Sequence, residues 1–451
     1  MSNLTGTTTT GRPAAPGAAC LVPLSARTLP DLIQTAAALR DLLGGGADFD
    51  LHTLAGDLSR RPHLPVRAAF AATSLPQLAG RLDAFVREKT PASTVSEGNQ
   101  TPRILMVFAG QGTQWAGCGR ELYDTEPAFR RAVDAVDTAW RGQAGFSLRD
   151  ACFTASQADL DEVRLAQPVI FMIEVALTGL LKAWGVSPDA VIGHSSGEVA
   201  AACAAGAFSL AEATRLMYHR AVLQQRTAGS GRMLAVGLDR AGTEELLAEI
   251  TAGPGDPALE IACENSPAST VICGPGPDLA PVLARLGQRR VPHRLLRGNI
   301  AFHSRAMDVI EADLRASLAY LDGRPPQPEI PLISSVTGQV TQDLDGAYWW
   351  SNIRRPVRFM AAVRTAAREL GPDVVLEVSP HMALTPAVRQ CLAGRDRPPA
   401  CVRTLGRDED PRLAWHQALG ALYRAGVPLD FEARYPPVRP GRPASLSWPS
   451  G

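Results

Sequence analysis

The 451-residue chain lacks an excess of either charge: Lys+Arg and Asp+Glu stand at 45 each. No global field therefore steers it to nucleic acid or to an anionic membrane, and any acidic partner must use a local patch. It also lacks any Cys-x-x-Cys pair. Its eight cysteines are scattered, which speaks against a zinc site and a disulfide framework and points to a reduced, cytoplasmic protein without a metal. No apolar run reads as long enough to span a bilayer, and the N-terminus lacks the hydrophobic core of a signal peptide. Lysine is nearly missing, the basic residues being almost all arginine, a coding bias with no functional content. Internal repeats are missing too. What is there is an ordinary globular composition, long enough for two or three compact units, each with its own core.

The stretch that organises the chain is Asp189-Ala190-Val191-Ile192-Gly193-His194-Ser195-Ser196-Gly197-Glu198, an apolar run that ends in Gly-x-Ser-x-Gly and passes into the alanine-rich residues 199–205. The pattern predicts a nucleophile elbow: a strand to Ile192, a sharp turn at Ser195, then a helix. Side chains at either glycine would collide with the neighbouring strand or helix. The turn exposes the Ser195 hydroxyl and frees the Ser196 N–H at a helix start, where partial positive charge stabilises an oxyanion.

Around this stretch the chain divides as follows. Residues 1–19 hold almost no large apolar side chains and read as a disordered tail. Residues 20–100 read as a small α/β domain with strands at 21–25 and 66–73 and helices at 28–43 and 75–86, leaving through a polar linker at 88–102. The main domain, 101–230 and 297–402, opens on a buried strand at 104–108 that runs into Ala109-Gly110-Gln111-Gly112-Thr113-Gln114-Trp115. No second strand with an acidic ribose ligand follows, so a loop lining a pocket fits better than a dinucleotide site. Gln167-Pro168 should open a helix that ends at Trp184 before Gly185. Ser209-Leu210-Ala211-Glu212 is a capping box starting a helix to about Arg226.

On that helix Arg220 falls in the middle of the apolar arc formed by Leu210, Ala213, Leu216, Met217, Ala221 and Leu223. Either it pairs with a buried carboxylate or snorkels, or it points a fixed guanidinium fork at an anionic substrate. Residues 231–296 read βαββαβ, an inserted ferredoxin-like unit. After it come Ile300-Ala301-Phe302-His303-Ser304, a strand at 330–334, Tyr348-Trp349-Trp350-Ser351-Asn352 leading to a helix at 357–369, and a strand at 374–378 ending at Ser379-Pro380-His381. Residues 403–451 carry a helix at 414–425 and a proline-rich extended tail.

Six of these motifs, in this order, resemble the acyltransferase domains of modular or iterative polyketide synthases: Phe108 to Trp115, Gln167-Pro168, Gly193 to Glu198 with Arg220, Ala301 to Ser304, Tyr348 to Asn352, and Glu377 to His381. The resemblance covers residues 20 to 440. It makes residues 20–100 similar to the linker between ketosynthase and acyltransferase, and 403–451 similar to the segment that follows the acyltransferase and wraps back. The implied fold is α/β: a hydrolase-like large subdomain with a parallel sheet and the elbow, plus a ferredoxin-like small one.

The implied activity is ping-pong acyl transfer. Ser195 attacks an acyl-CoA thioester, carries the acyl group as an ester, and passes it to the phosphopantetheine thiol of an acyl carrier protein. No bound cofactor is implied, acyl-CoA being a substrate; the other implied partners are ketosynthase and further synthase domains. By resemblance His303 is general base and then acid, working near its unperturbed pKa, and the N–H groups of Gln111 and Ser196 form the oxyanion hole. Asn352 is similar to the amide that holds the far nitrogen of His303, a task backbone carbonyls can also do. Arg220 would bind the free carboxylate of a malonyl-type extender.

Phe302, Ile300 and His194 are implied as acyl-pocket residues. The family pairs His-Ala-Phe-His with malonyl and Tyr-Ala-Ser-His with methylmalonyl; Ile300-Ala301-Phe302-His303 keeps the bulky Phe and departs at the first position. Phe302 and Ser196 favour malonyl, while Ile300 keeps hydroxymalonyl and methoxymalonyl open; one methyl is worth only ~1–3 kcal/mol of discrimination, which leaves methylmalonyl as an alternative. A starter-unit acyltransferase and a serine hydrolase or thioesterase are the rival enzymes, an idle docking module the rival from another class. Carrier docking would use a cationic surface, for which Arg60, Arg61 and Arg67 are candidates against a merely solvated face.

Overall fold

The computed structural model describes residues 19–45, 50–89, 93–94, 101–250, 259–323 and 325–435; of the tails expected at 1–19 and 435–451, all but Ala19 and Tyr435, which are both buried, lie outside the described residues. Two compact units emerge, one from Met1–Thr101, Ala183–Val186 and Arg412–Gly451, the other from Pro102–Lys182 and Ser187–Pro411.

In the first unit β1 (Cys20–Ala26) pairs antiparallel with β2 (Val66–Ala72), which pairs with the short β3 (Ser93–Thr94). Helices Leu29–Gly44 and Leu75–Glu88 begin where Thr28 and Ser74 accept from the N–H groups of Asp31 and Gln77, satisfying donors that the first helical turn leaves unpaired. The returning C-terminal segment belongs to this unit. Tyr435 Oη accepts from the Leu21 N–H at 2.9 Å, and Phe431 and Tyr435 lie edge-on to Trp184.

The second unit contains β4 (Ile104–Phe108), β5 (Ala190–Gly193), β6 (Arg232–Val236), β7 (Glu260–Ser266), β8 (Ser269–Gly274), β9 (His293–Leu295), β10 (Leu332–Ile333), β11 (Val340–Thr341), β12 (Val374–Val378) and β13 (Ala400–Arg403). Its larger sheet runs β11-β10-β5-β4-β12-β13, parallel except for the β10–β11 pair. The wholly buried β4 and β12 are continuous apolar runs apart from Glu377, as strands covered on both faces require.

Register pairs Phe108 with both Gly193 and Val378, so three strands end side by side and their following loops share one edge. Ligands of open α/β sheets bind at that carboxyl edge. The inserted sheet runs β7-β8-β6-β9, all antiparallel, the order of a ferredoxin-like βαββαβ unit. Cys263, Val271 and Cys273 from it share one core with Leu105, Val107 and Phe359, and Val357 bonds the β7 backbone on both sides.

Four local expectations change. Helix Val163–Ala183 is long and apolar enough to cross a membrane, against the reading that no run is; 72% of that window is buried inside the protein, which accounts for its apolarity. The same helix starts a turn before Pro168, because the Glu162 carbonyl takes the N–H groups of Leu165 and Ala166, and Pro168 sits inside it. Tyr348 to Asn352 lie in a helix of their own, Gly346–Arg354, started when Asp345 caps the Tyr348 N–H at 2.7 Å, and the helix expected at 357–369 follows as Phe359–Glu369. The boundary expected at Arg403 falls at Arg412, since Thr404 is bonded to Glu377 and Ser379 and Arg407 to the Gln114 carbonyl. Among the described residues all eight cysteines are free thiols, and no cluster of three or more metal-ligating side chains occurs.

Candidate active site

The elbow begins where β5 ends. A Cβ on Gly193 would lie 2.1 Å from the Glu198 Cα, and one on Gly197 2.5 Å from the carbonyl oxygens of Phe108 and Ala109. So the first glycine lets strand meet helix, and the second lets that helix meet the neighbouring strand. Between them Ser195 is held at φ 54°, the left-handed region that L side chains seldom occupy, and helix Gly197–Ala204 leaves from Ser196.

His303 enters from the loop that returns from the small sheet, also strained at φ 59°. Its Nε2 accepts from Ser195 Oγ at 2.8 Å. Its Nδ1–H donates to the Arg355 carbonyl at 2.9 Å, which fixes the tautomer with a lone pair toward the serine. A backbone carbonyl thus does the work expected of Asn352, because the helix Gly346–Arg354 ends there and Arg355 turns extended, leaving that oxygen unused by the helix. The unperturbed pKa expected for His303 is also corrected: burial, then the charges of Arg220 and His194, push it down to about 3. The imidazole is neutral at physiological pH, the state a general base needs.

Arg220 is 1% exposed and has no carboxylate within salt-bridge distance among the described residues. Its Nε donates to Gln167 Oε1 at 3.1 Å, one terminal nitrogen to Asn352 Oδ1 at 2.7 Å, and the other to Ser195 Oγ at 3.4 Å. Neither the buried ion pair nor snorkelling applies. Asn352, 2% exposed, turns its Nδ2 to Glu198 at 2.7 Å, so it bridges the guanidinium to a carboxylate. Glu198 is wholly buried and also accepts from Ser335 N and Oγ and from the Tyr348 hydroxyl. Burial lowers the Arg220 pKa to about 9 while the charge of Glu198 opposes the shift. Two of the five guanidinium N–H groups have no partner among the described residues.

The backbone N–H groups of Gln111 and Ser196 donate to nothing among the described residues, whereas the N–H groups that follow them, of Gly112 and Gly197, donate to Gln114 Oε1 and to the His194 carbonyl. Gln167 links this loop to the arginine, donating to Gln111 Oε1 at 3.3 Å and to Gln224 Oε1 at 2.8 Å. Ser195, Ser196, His303, Arg220 and Asn352 are therefore joined by direct bonds or chain adjacency, and Gln111 is joined to them through Gln167. His194 donates from Nε2 to Asn265 Oδ1 at 2.8 Å and packs on Phe359. Phe302 is half-buried next to His303, whereas Ile300 is buried in the core. Arg60 and Arg67 bond inside the first unit, to Asp57 and to the Tyr423 carbonyl; Arg60 is exposed, and Arg61 and Arg67 are half-buried.

Sequence reading left Gln167 without a role and missed Glu198 and Asn265. Glu198 had a signal, since it is the lone acid in the apolar run 190–205, as anomalous as Arg220 on its helix.

A sequence model of the family described as Acyl transferase domain matches residues 105–427. The mycocerosic acid synthase-like polyketide synthase of Mycobacterium tuberculosis is 37% identical over 434 residues, 95% of this chain and 20% of that protein. The chain belongs to the acyltransferase domains of polyketide synthases. The domain also matches the spectinabilin polyketide synthase system protein NorA' of Streptomyces orinoci at 36% identity, over 93% of the chain but 12% of the relative. It thus spans a fifth or less of these two relatives.

Among solved structures it overlays on the acyltransferase domain from module 8 of the salinomycin synthase, with 32% identity, 92% of this chain and 98% of that one covered, and TM-score 0.82. A second is the acyltransferase domain of SpnD in complex with 2-(pent-4-yn-1-yl)malonyl, with 30% identity, 91% and 96% covered, and TM-score 0.80.

Proposed function

We propose that this domain transfers a dicarboxylic extender unit, malonyl before its substituted relatives, from CoA through a Ser195 ester to the phosphopantetheine thiol of an acyl carrier protein. One observation carries the reading. The Ser195 Oγ stands between a neutral imidazole at 2.8 Å and a buried guanidinium at 3.4 Å that has no ion-paired carboxylate among the described residues. A malonyl thioester has its carbonyl carbon one methylene from its carboxylate, so attack by Ser195 and capture by Arg220 require groups this close.

In the acylation step Ser195 Oγ gives its proton to His303 Nε2 as it attacks the thioester carbonyl, and the oxyanion is received by the N–H groups of Gln111 and Ser196. The C–S bond then breaks and the departing CoA sulfur takes the proton from His303. Transfer to the pantetheine thiol runs the same steps in reverse. Phe302 beside the base would crowd an α-substituent, although the substituted malonyl bound by SpnD supports tolerance in relatives. The loading acyltransferase of the avermectin synthase, 32% identical, supports a starter-unit enzyme as the second reading; such an enzyme has no use for an unneutralised Arg220. The remaining residues would serve as the linkers that flank an acyltransferase in a larger cytoplasmic synthase, with no cofactor bound.

The test is intact-protein mass spectrometry after brief incubation with malonyl-CoA, methylmalonyl-CoA or acetyl-CoA. Expected is a malonyl adduct, absent in Ser195→Ala, with Arg220→Ala shifting preference to acetyl. Preferential loading of acetyl on the wild type overturns the extender reading, and release of free CoA without an adduct points to a hydrolase.

A further inference from the structure

Between Asp278 and Asp308 the chain carries no acidic residue and six arginines, in a protein of zero net charge. Three of the six are neutralised: Arg285 and Arg289 share Glu249, and Arg305 pairs with Glu260. Arg290, Arg294 and Arg297 are exposed and have no ion partner among the described residues. All three lie on or beside β9, an edge strand of the small sheet whose outer side has no paired strand among the described residues.

The antiparallel register Leu234 with Leu295, continued by the Leu296 N–H to the Met233 carbonyl at 2.9 Å, sets Arg232 beside Arg297. Arg232 is likewise exposed and unpaired among the described residues. Like charges facing each other across a strand pair are destabilising, so a cluster of four needs either solvent alone or an anionic partner to offset it.

This edge adjoins the catalytic turn. The Asn299 carbonyl accepts from the N–H groups of Gly229 and Gly231, and a Cβ on Gly231, the residue before Arg232, would lie 3.0 Å from the Ala301 Cβ, two residues before His303. Arg297 is six residues from His303, at most about 20 Å along the chain. The edge from Arg290 to Arg297 spans seven residue steps, up to about 23 Å if fully extended. That is the length of a helix of about 15 residues and more than one compact phosphate cluster needs.

We infer that the edge formed by Arg232, Arg290, Arg294 and Arg297 docks an acidic helix of the acyl carrier protein, so that its pantetheine arm enters beside His303. The inference rests on the reading of the domain as a carrier-directed acyltransferase. Such a contact sets association rate and salt dependence more than it contributes packing.

The experiment compares wild type with Arg232→Glu/Arg294→Glu/Arg297→Glu in three assays. These are acyl-enzyme formation from malonyl-CoA, transfer from the acyl-enzyme to an acidic holo-acyl carrier protein of a type I polyketide synthase, and transfer to free pantetheine. Expected is transfer to the carrier slowed at least about tenfold at low salt, with the difference shrinking as salt rises, while loading and transfer to pantetheine stay within about twofold. Unchanged carrier transfer overturns the inference and makes the edge a solvated face. Slowed loading with unchanged carrier transfer also overturns it, assigning the arginines to the phosphates of CoA. Wild type that loads and transfers to pantetheine but to no carrier would instead overturn the proposed acceptor, a failure distinct from that of the surface. Normal loading by the variant shows that it is folded.

Discussion

The two units bury different things. In the first, buried polar groups are few: Ser59 and His416 bond to backbone carbonyls, and helix ends are closed by Thr28, Asp50 and Ser74 at the surface. In the second, Arg220, Glu198, Glu174, Glu377 and His303 are all nearly or fully buried, and Ser195 and His303 are both held at positive φ. Buried charge and left-handed backbone oppose folding, and strain persists only where the surroundings over-determine it. In the first unit the left-handed Lys89 closes a helix end, where that conformation is common. In the second, left-handed Ser195 and His303 are bonded to each other beside the buried Arg220, as at a site held against local strain.

Substitutions should separate these regimes, beginning with the nucleophile. Ser195→Ala is expected to remove the acyl-enzyme entirely and lower transfer by ~10⁴-fold or more, without loss of thermal stability, since it leaves the packing at this strained turn intact. Arg220→Ala should cost roughly 10²–10³-fold in kcat/KM for malonyl-CoA, the scale of a buried charge contact, and much less for acetyl-CoA. If both acyl groups suffer equally, the guanidinium serves the serine and not the substrate.

A pH profile tests the burial directly. With the His303 pKa at about 3, the base stays neutral as pH falls, so acylation should be flat from about pH 5 to 8 with no inflection near the usual histidine value of 6.5. The same depressed histidine has a stability sign. Below pH 6.5 the unfolded chain protonates a group the folded one keeps neutral, so His303 lowers stability as pH falls toward 3, measurable as a Tm that His303→Gln makes less pH-dependent.

Asn352→Ala sharpens the comparison further. Since the amide holds Arg220 and not His303, KM for malonyl-CoA should rise about tenfold while kcat for acetyl-CoA is nearly unchanged; a fall in kcat for both would return Asn352 to the histidine. The smallest effect is expected in the first unit, where Ser74→Ala should cost about 1 kcal/mol of stability through its lost cap and leave acyl transfer untouched.

Short-range pattern alone was enough for much of this. The glycines flanking Ser195, the Ser209–Glu212 capping box, the βαββαβ order of the insert and the out-of-place Arg220 are local or periodic features, and each states its own steric or electrostatic demand. The partner of His303 could not be read this way. It is the carbonyl of Arg355, 52 residues on, and a backbone oxygen carries no side-chain signature.

Nor does any sequence spacing tell Asn352 whether to face the histidine or the arginine. That choice comes from the helix Gly346–Arg354 lying where Glu198, fixed on the helix after the elbow, takes the other end of the same amide. The depressed basicity of His303 is likewise a product of burial beside Arg220. Residue types and their local order determined the elbow that presents Ser195, the helix that carries Arg220, and the family. Tertiary packing alone decided which polar group each buried charge meets, because in a low-dielectric interior that pairing depends on atoms brought together from across the chain.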